Sequence, residues 1–153
     1  VKNLGLGPRL PLVRGARRRR ETFANLDEVR RSYSGKSIFS SWSPQVLEDY
    51  IQAGFRKTGS GGVTLTYPKA WEAKIFEITP ANVWAALEKI RVPMLFVRGS
   101  DSDTFRAATA RRAQRQLATA RVIEVEGCSH FVPMERPAEI ARAIVEWTSE
   151  IGV

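Results

Sequence analysis

The spacing of apolar residues changes near residue 92 of this chain. Before that point, apolar side chains recur every three or four residues in short runs that glycine and proline interrupt, which is typical of amphipathic helices. After it, continuous apolar runs alternate with helical spacing, as in a parallel sheet covered by helices. The pattern therefore predicts an α/β protein whose first part is mainly helical.

Four helices are predicted in the first part from their caps and their apolar faces. Asn25, with Glu28 three positions later, has the sequence of a capping box. Ser43 precedes Pro44, an N-cap followed by a proline suited to the first helical position. The four helices are predicted over residues 25–33, 44–53, 69–77 and 80–90, the last of them capped by Thr79-Pro80.

Two other stretches of the first part are predicted to be non-helical. Residues 1–15 mix glycine and proline with isolated apolar residues, and this composition predicts a loop or linker. Residues 63–67 alternate apolar and polar before Pro68, which predicts a short edge strand.

The second part reads as strand, helix, strand and helix. Pro93–Val97 is a continuous apolar run that predicts a strand buried on both faces, and Arg121–Val125 predicts a second strand. A helix is predicted over about residues 105–117 and another from Pro137 onward. Two strands joined by a helical crossover pair in parallel, so the loops that follow them emerge at the same carboxyl end of the sheet.

Those two loops carry candidate chemistry. The loop after the second strand holds His130, the only histidine of the chain, and the loop after the first holds Asp101 and Asp103. Histidine titrates near neutral pH and serves as a general base, and a carboxylate beside it can orient the ring. The sequence therefore predicts a base and an orienting acid, and at this point either aspartate could be the acid.

The overall composition narrows the class of protein. With 43% hydrophobic and 26% charged residues, the chain fits a globular domain, and it has no run near the roughly 18 apolar residues of a membrane span. One cysteine and one histidine exclude a zinc cluster of such ligands, so we predict no metal and no cofactor. A single cysteine cannot form an internal disulfide, which favours a reducing compartment, and we expect a cytoplasmic protein.

The net charge of +8 is concentrated at one end of the chain. Residues 1–20 hold seven of the 24 basic residues and no acidic one, which leaves 17 basic against 16 acidic residues over positions 21–153. No aromatic residue that could stack on bases is interleaved with Arg17–Arg20. The distribution therefore argues against a nucleic-acid partner.

Two motifs of the second part resemble the α/β-hydrolase superfamily. Pro93–Gly99 with Ser102-Asp103 resembles its acid loop, and Gly127–Phe131 with Glu135-Arg136-Pro137 resembles its histidine loop. Residues 16–20, 39–44 and 62–65 are similar to the helical cap of a bacterial subgroup. The resemblance implies the C-terminal part of an α/β-hydrolase fold, with two parallel strands and flanking helices preceded by a mainly helical cap. It implies a basic linker over 1–22, the cap or lid over 23–90 and the core over 91–153.

The resemblance also implies roles for individual residues. His130 would be the general base, with Asp103 as the acid and Asp101 as the alternative. Cys128 is expected to be a small buried packing residue, and Ser129 a residue that forms hydrogen bonds within the loop.

The nucleophile of that superfamily is missing from the sequence. It lies in a G-x-S-x-G pentapeptide, which does not occur here. Gly35–Phe39, around Ser37, lacks the second glycine, and Gly59-Ser60-Gly61 has no predicted strand before it. We therefore expect a fragment that begins after the nucleophile strand, depends on the missing N-terminal half of the fold and is inactive alone.

For the complete enzyme, the resemblance implies a serine esterase or lipase-like hydrolase acting on small apolar esters or related acyl substrates. Two alternatives remain: a relative with an aspartate nucleophile, such as an epoxide hydrolase or dehalogenase, and a truncated chain that only binds a partner. Ten of the 14 aromatic residues lie between Phe23 and Trp84, and such rings could wall an apolar pocket. The candidate substrate-binding residues are Phe39, Trp42, Trp71 and Phe131.

Overall fold

The computed structural model describes residues 10–78, 80 and 82–152. These residues form two compact units. Of the described residues, the first unit contains 10–40, 47–78 and 80, and the second contains 41–46 and 82–152.

Between residues 10 and 78, the structure has four α-helices and one 3₁₀-helix. Their bounds are α1 Pro11–Arg18, α2 Leu26–Ser34, a 3₁₀-helix Ser37–Phe39, α3 Pro44–Gly54 and α4 Lys69–Glu77. The cap predicted for α2 is confirmed: the side chain of Asn25 accepts a hydrogen bond from the Glu28 backbone N–H at 2.9 Å.

The loop predicted for residues 1–15 is wrong from Pro11 onward, because α1 is a helix; residues 1–9 lie outside the described residues. Pro11 suits the first turn, and Val13 and Ala16 lie three positions apart on the buried face of the helix. They pack against Ala73 of α4. Contacts made far along the chain thus stabilise a helix that Gly15 disfavours locally.

A small antiparallel sheet completes the first unit. Its strands are β1 Thr22–Phe23, β2 Phe55–Lys57 and β3 Val63–Leu65, in the order β1-β3-β2. The strand predicted near residue 63 exists, but its prediction as an edge strand is wrong because β3 is central. Its two neighbours are two and three residues long, too short to show an alternating pattern in the sequence.

Aromatic residues build the core of the first unit. Tyr33 is buried and its ring lies edge-on to Phe23 and Phe55, with centroids 6.4 and 5.7 Å apart. Val29 and Ile51 fill the same cluster. The rings therefore hold together helices that are each too short to be stable alone.

The second unit contains the predicted strand, helix, strand and helix. Its elements are α5 Val83–Leu87, β4 Met94–Gly99, α6 Ala107–Gln116, β5 Ala120–Val125, α7 Val132–Glu135 and α8 Pro137–Glu150. Strands β4 and β5 pair in parallel, with Met94 opposite Ala120 and Gly99 opposite Val125. The predicted parallel pair and its helical crossover are confirmed.

Two details of this unit differ from the prediction. Residues 94–97 of β4 are half-buried rather than buried on both faces, because among the described residues β4 has a strand neighbour on one side only. The helix predicted over 80–90 is shorter and begins at Val83; Thr79, its predicted cap, lies outside the described residues.

A compact apolar cluster underlies the loop that carries His130. Val125 at the end of β5, Cys128 in the loop, Val132 in α7 and Ile140 in α8 are all buried together. The loop is therefore anchored by apolar side chains on both sides of its histidine.

None of the helices in the described ranges is long and apolar enough to cross a bilayer.

Candidate functional site

The two parallel strands bring His130 and Asp103 together. Asp103 follows β4 and His130 follows β5, and the distance between the His130 Nδ1 and the Asp103 Oδ1 is 3.6 Å. Their side chains are 40% and 78% exposed. The separation is somewhat longer than a hydrogen bond and within the range of an ion pair.

Asp101 has a different position. Its carboxylate accepts a hydrogen bond from the Ser100 hydroxyl at 3.0 Å, and its backbone N–H donates to the Cys128 carbonyl at 3.0 Å. Among the described carboxylates, that of Asp103 alone lies within 4 Å of the His130 ring nitrogens. The geometry thus favours Asp103 as the orienting acid, and its catalytic role stays a prediction.

Arg98 stabilises the acid loop through hydrogen bonds to its backbone. Its side chain is 4% exposed and forms an ion pair with Glu124 on β5. Its Nε donates to the carbonyl of Phe105 and its Nη2 to the carbonyl of Ser100, each at 3.0 Å. Sequence reasoning missed this residue, although a charge at the end of an apolar strand is a signal for such an anchor.

The acid loop and the histidine loop are joined by hydrogen bonds at the carboxyl ends of the strands. The Ser100 N–H donates to the Val125 carbonyl at 2.9 Å, and the Gly127 N–H donates to the Ser100 hydroxyl at 2.9 Å. Gly127 has φ +64°, a left-handed conformation that glycine adopts without strain. The two loops therefore form one connected surface on which Asp103 and His130 meet.

Glu135 is a buried carboxylate under the histidine loop, 7% exposed. Its Oε2 accepts the Ser129 N–H at 3.0 Å, and its Oε1 accepts the hydroxyls of Ser129 at 2.5 Å and Ser41 at 2.9 Å. Burial disfavours the charged form, but the hydrogen bonds from these serines outweigh it and lower the pKa of Glu135. Glu135 belongs to the quoted histidine motif, but its role depends on tertiary contacts that the sequence does not show.

Cys128 and Ser129 occupy the places expected of them. Cys128 is fully buried in the apolar cluster of the second unit, and burial raises the pKa of its thiol. Its burial agrees with the predicted packing role, and its thiol also forms a hydrogen bond with the Glu135 side chain. The Ser129 hydroxyl donates to Glu135 and accepts the Phe131 N–H at 3.1 Å, which confirms its hydrogen-bonding role.

The candidate substrate-binding residues fall into two sets. Trp42 is 8% exposed and packs on Phe131 with ring centroids 5.3 Å apart, so the second unit brings these two together. Phe39 and Trp71 lie in the first unit. Phe39 stacks on Tyr33 at 5.0 Å as part of the core, while Trp71 is 67% exposed.

The serines weighed as nucleophiles do not lie in an elbow. Ser37 begins the 3₁₀-helix, and Ser60 lies in a turn where its hydroxyl is 3.4 Å from that of Thr58. Neither lies at a turn from a strand into a helix, which is where the elbow places its nucleophile.

Comparisons with known proteins identify the fold. The model of a family described as the alpha/beta hydrolase family matches residues 3–143. A comparison with curated proteins finds no match. Among solved structures, the chain is similar to the peroxisomal alpha-beta-hydrolase of Saccharomyces cerevisiae, with 19% identity and a TM-score of 0.75 over 92% of this chain and 40% of that one.

Two further structures give the same result. E-2-(acetamidomethylene)succinate hydrolase is 20% identical with a TM-score of 0.69, over 84% of this chain and 47% of that one. An esterase of M. tuberculosis is 18% identical with a TM-score of 0.63, over 82% of this chain and 42% of that one. The chain thus spans less than half the length of these relatives. With a family match over most of its length and this shared fold, the chain belongs to the alpha/beta hydrolase family.

Proposed function

We propose that this chain carries the acid and the base of a catalytic relay in a hydrolase of carboxylic esters or related acyl substrates. His130 is the general base and Asp103 orients it. The observation that carries the proposal is the 3.6 Å separation of Nδ1 and Oδ1 at the carboxyl ends of two parallel strands.

In this mechanism, the Asp103 carboxylate accepts the Nδ1–H of His130 and leaves Nε2 as the acceptor. Nε2 takes the proton of a hydroxyl nucleophile as its oxygen attacks the ester carbonyl, and then returns that proton to the leaving alcohol. Water hydrolyses the acyl intermediate by the same proton transfers in a second round. Because the sequence contains no G-x-S-x-G pentapeptide, we place the nucleophile outside these 153 residues.

One feature supports an ester hydrolase, and a second supports an apolar acyl group. The acid loop and histidine loop occur in the order that ester hydrolases of this fold use. The centroid of the Phe131 ring lies 4.0 Å from that of the His130 ring. The same Phe131 ring also packs on Trp42. An apolar pair beside the base offers a surface against which an acyl chain could pack.

The test uses the whole gene product that contains this chain, assayed with p-nitrophenyl butyrate. We expect ester turnover that falls by roughly 1,000-fold or more in His130→Ala, because removing the base leaves only binding and oxyanion effects. The 153-residue chain assayed alone is expected to be inactive.

Two results would overturn the proposal. The first is a well-folded gene product without ester turnover. Opening of epoxides by that product would then favour an aspartate nucleophile, and no reaction with epoxides would favour a non-catalytic role. The second is turnover that survives His130→Ala.

A further inference from the structure

We propose that Glu135 is a positioning residue for His130 and that Ser41 completes its hydrogen bonding. This inference rests on the proposed role of His130 as the general base. It assigns no new chemistry to Glu135, which acts through the backbone of the loop that holds His130.

The contacts of Glu135 restrain one backbone N–H before His130 directly and one after it through the Ser129 hydroxyl. The carboxylate accepts the Ser129 N–H at 3.0 Å, in the peptide group before Ser129. It also accepts the Ser129 hydroxyl, and that hydroxyl accepts the Phe131 N–H at 3.1 Å, in the peptide group after His130. One side chain thus restrains the backbone before and after the histidine.

The backbone of Glu135 closes the same loop. The N–H groups of Met134 and Glu135 both donate to the Phe131 carbonyl, at 2.8 and 3.0 Å. The carboxylate is therefore held in place by the first turn of α7 while its oxygens hold Ser129. Because the loop is held at Ser129 and at the start of α7, the direction in which the His130 side chain leaves the backbone is restrained as well.

Charge makes these bonds stronger than neutral ones. Glu135 is buried, and a buried carboxylate without donors would be costly, whereas this one accepts hydrogen bonds from Ser129, Ser41 and the Cys128 thiol. A hydrogen bond with an ionised acceptor is roughly twice as strong as a neutral one. The loop is thus held by its strongest contacts directly beside the candidate base.

Ser41 adds a donor to the Glu135 carboxylate from a distant part of the sequence. Its hydroxyl donates to Oε1 at 2.9 Å, and two positions later the Ser43 N–H donates to the Met134 carbonyl at 2.9 Å. Between them, the buried Trp42 packs on Phe131. Residues 41–43 therefore contact Phe131, Met134 and Glu135, at and just after the histidine loop.

The experiment measures kcat and KM for p-nitrophenyl butyrate in the gene product that contains this chain, per folded molecule. We expect Glu135→Ala to lower kcat by roughly 10- to 100-fold while KM changes less than about threefold, as for other supports of a reacting group. Glu135→Gln retains one acceptor oxygen and is expected to recover part of that loss. Ser41→Ala removes one of the donors to Glu135 and is expected to lower kcat by about threefold.

The control is Glu139→Gln, which removes the same charge from an exposed position in the first turn of α8. It is expected to leave kcat unchanged. A purely structural role would lower the folded fraction in Glu135→Ala but not the kcat of the molecules that fold. Unchanged kcat in Glu135→Ala would therefore overturn the proposal, as would an equal loss in Glu139→Gln.

A second readout separates this inference from the proposed function. In the gene product that contains this chain, amide hydrogen exchange at Ser129 and Phe131 should speed up by at least tenfold in Glu135→Ala and not in Glu139→Gln. If that occurs in a gene product without ester turnover, the proposed function fails while the control of the loop by Glu135 stands. Unchanged exchange contradicts the control of the loop by Glu135 whatever the activity.

If Glu135→Ala does not fold, Ser129→Ala replaces that variant in both measurements, because it removes both hydrogen bonds of the Ser129 hydroxyl.

Discussion

Gly99 lies directly against Cys128: a Cβ added to Gly99 would be 2.1 Å from the Cys128 carbonyl oxygen. It would also be 2.2 Å from the carbonyl oxygen of Ser129. Both obstacles are backbone atoms, so no side chain can rotate away to make room. The close approach of β4 to the histidine loop is thus possible only because residue 99 has no side chain.

Gly99→Ala is expected to destabilise the protein by about 3 kcal/mol, because the histidine loop must move to accommodate the methyl group. Urea unfolding measures this change. Gly127→Ala is the control: it has open space for a Cβ but φ +64°, and should cost only about 1 kcal/mol. An equal cost at both positions would contradict the steric explanation.

Asp103 and Asp101 provide a matched pair two positions apart. Asp103→Asn should lower ester turnover by the gene product by roughly 100- to 10,000-fold, since an amide no longer holds the imidazole tautomer. Asp101→Asn retains the backbone N–H that bonds to Cys128 and should lower turnover by less than tenfold. The reverse ranking of kcat/KM would assign the acid role to Asp101.

Glu135 is expected to make stability depend on pH. Its folded-state pKa is lowered, so its contribution is complete above its ordinary pKa of about 4.5 and is lost as the pH falls through the lowered value. The free energy of unfolding of the wild type should thus exceed that of Glu135→Gln at pH 6, and the difference should shrink toward pH 3. A difference that is constant between these values would contradict an ionised Glu135.

Arg98 is expected to be sensitive to substitution. Arg98→Met should destabilise the protein by about 2–3 kcal/mol, because it leaves the carbonyls of Phe105 and Ser100 without their donor. Arg98→Lys keeps the charge but has no planar fork, so it should recover only part of the loss. Denaturant unfolding compares the three proteins, and full recovery by lysine would show that charge alone matters.

Gly15 offers a stabilising substitution. It lies inside α1, is exposed, and an added Cβ would meet nothing within 4 Å. Gly15→Ala should therefore stabilise the protein by about 0.5–1 kcal/mol through helix propensity. A shift of the thermal midpoint to higher temperature would confirm it, whereas a shift to lower temperature would argue against helix α1.

The sequence predicted the elements whose signals are local. The strands β4 and β5 carry continuous apolar runs, and Asn25 carries its cap, so these need no distant information. The helix α1 was missed because buried contacts with Ala73 of α4 stabilise it despite Gly15. The strands β1 and β2 are too short to show a period.

The same distinction holds for the candidate site. His130 and the two aspartates could be found because they follow strands, and the parallel pairing then places their loops together. The choice between Asp101 and Asp103 required the distance from each carboxylate to the His130 ring. The role of Glu135 became visible only from its hydrogen bond with Ser41. Neither of these is a property of neighbouring residues in the sequence.

The hydrogen bond between Ser41 and Glu135 joins residues 94 positions apart, and this bears on the order of folding. The pairing of β4 with β5 closes a much shorter loop, which has the lower entropic cost and is expected to form first. Refolding followed by the fluorescence of Trp42, with the other three tryptophans replaced by phenylalanine, should therefore lag behind exchange protection of β4 and β5. Simultaneous signals would contradict that order. The histidine loop would then acquire its final geometry only in the last step, when residues 41–43 dock.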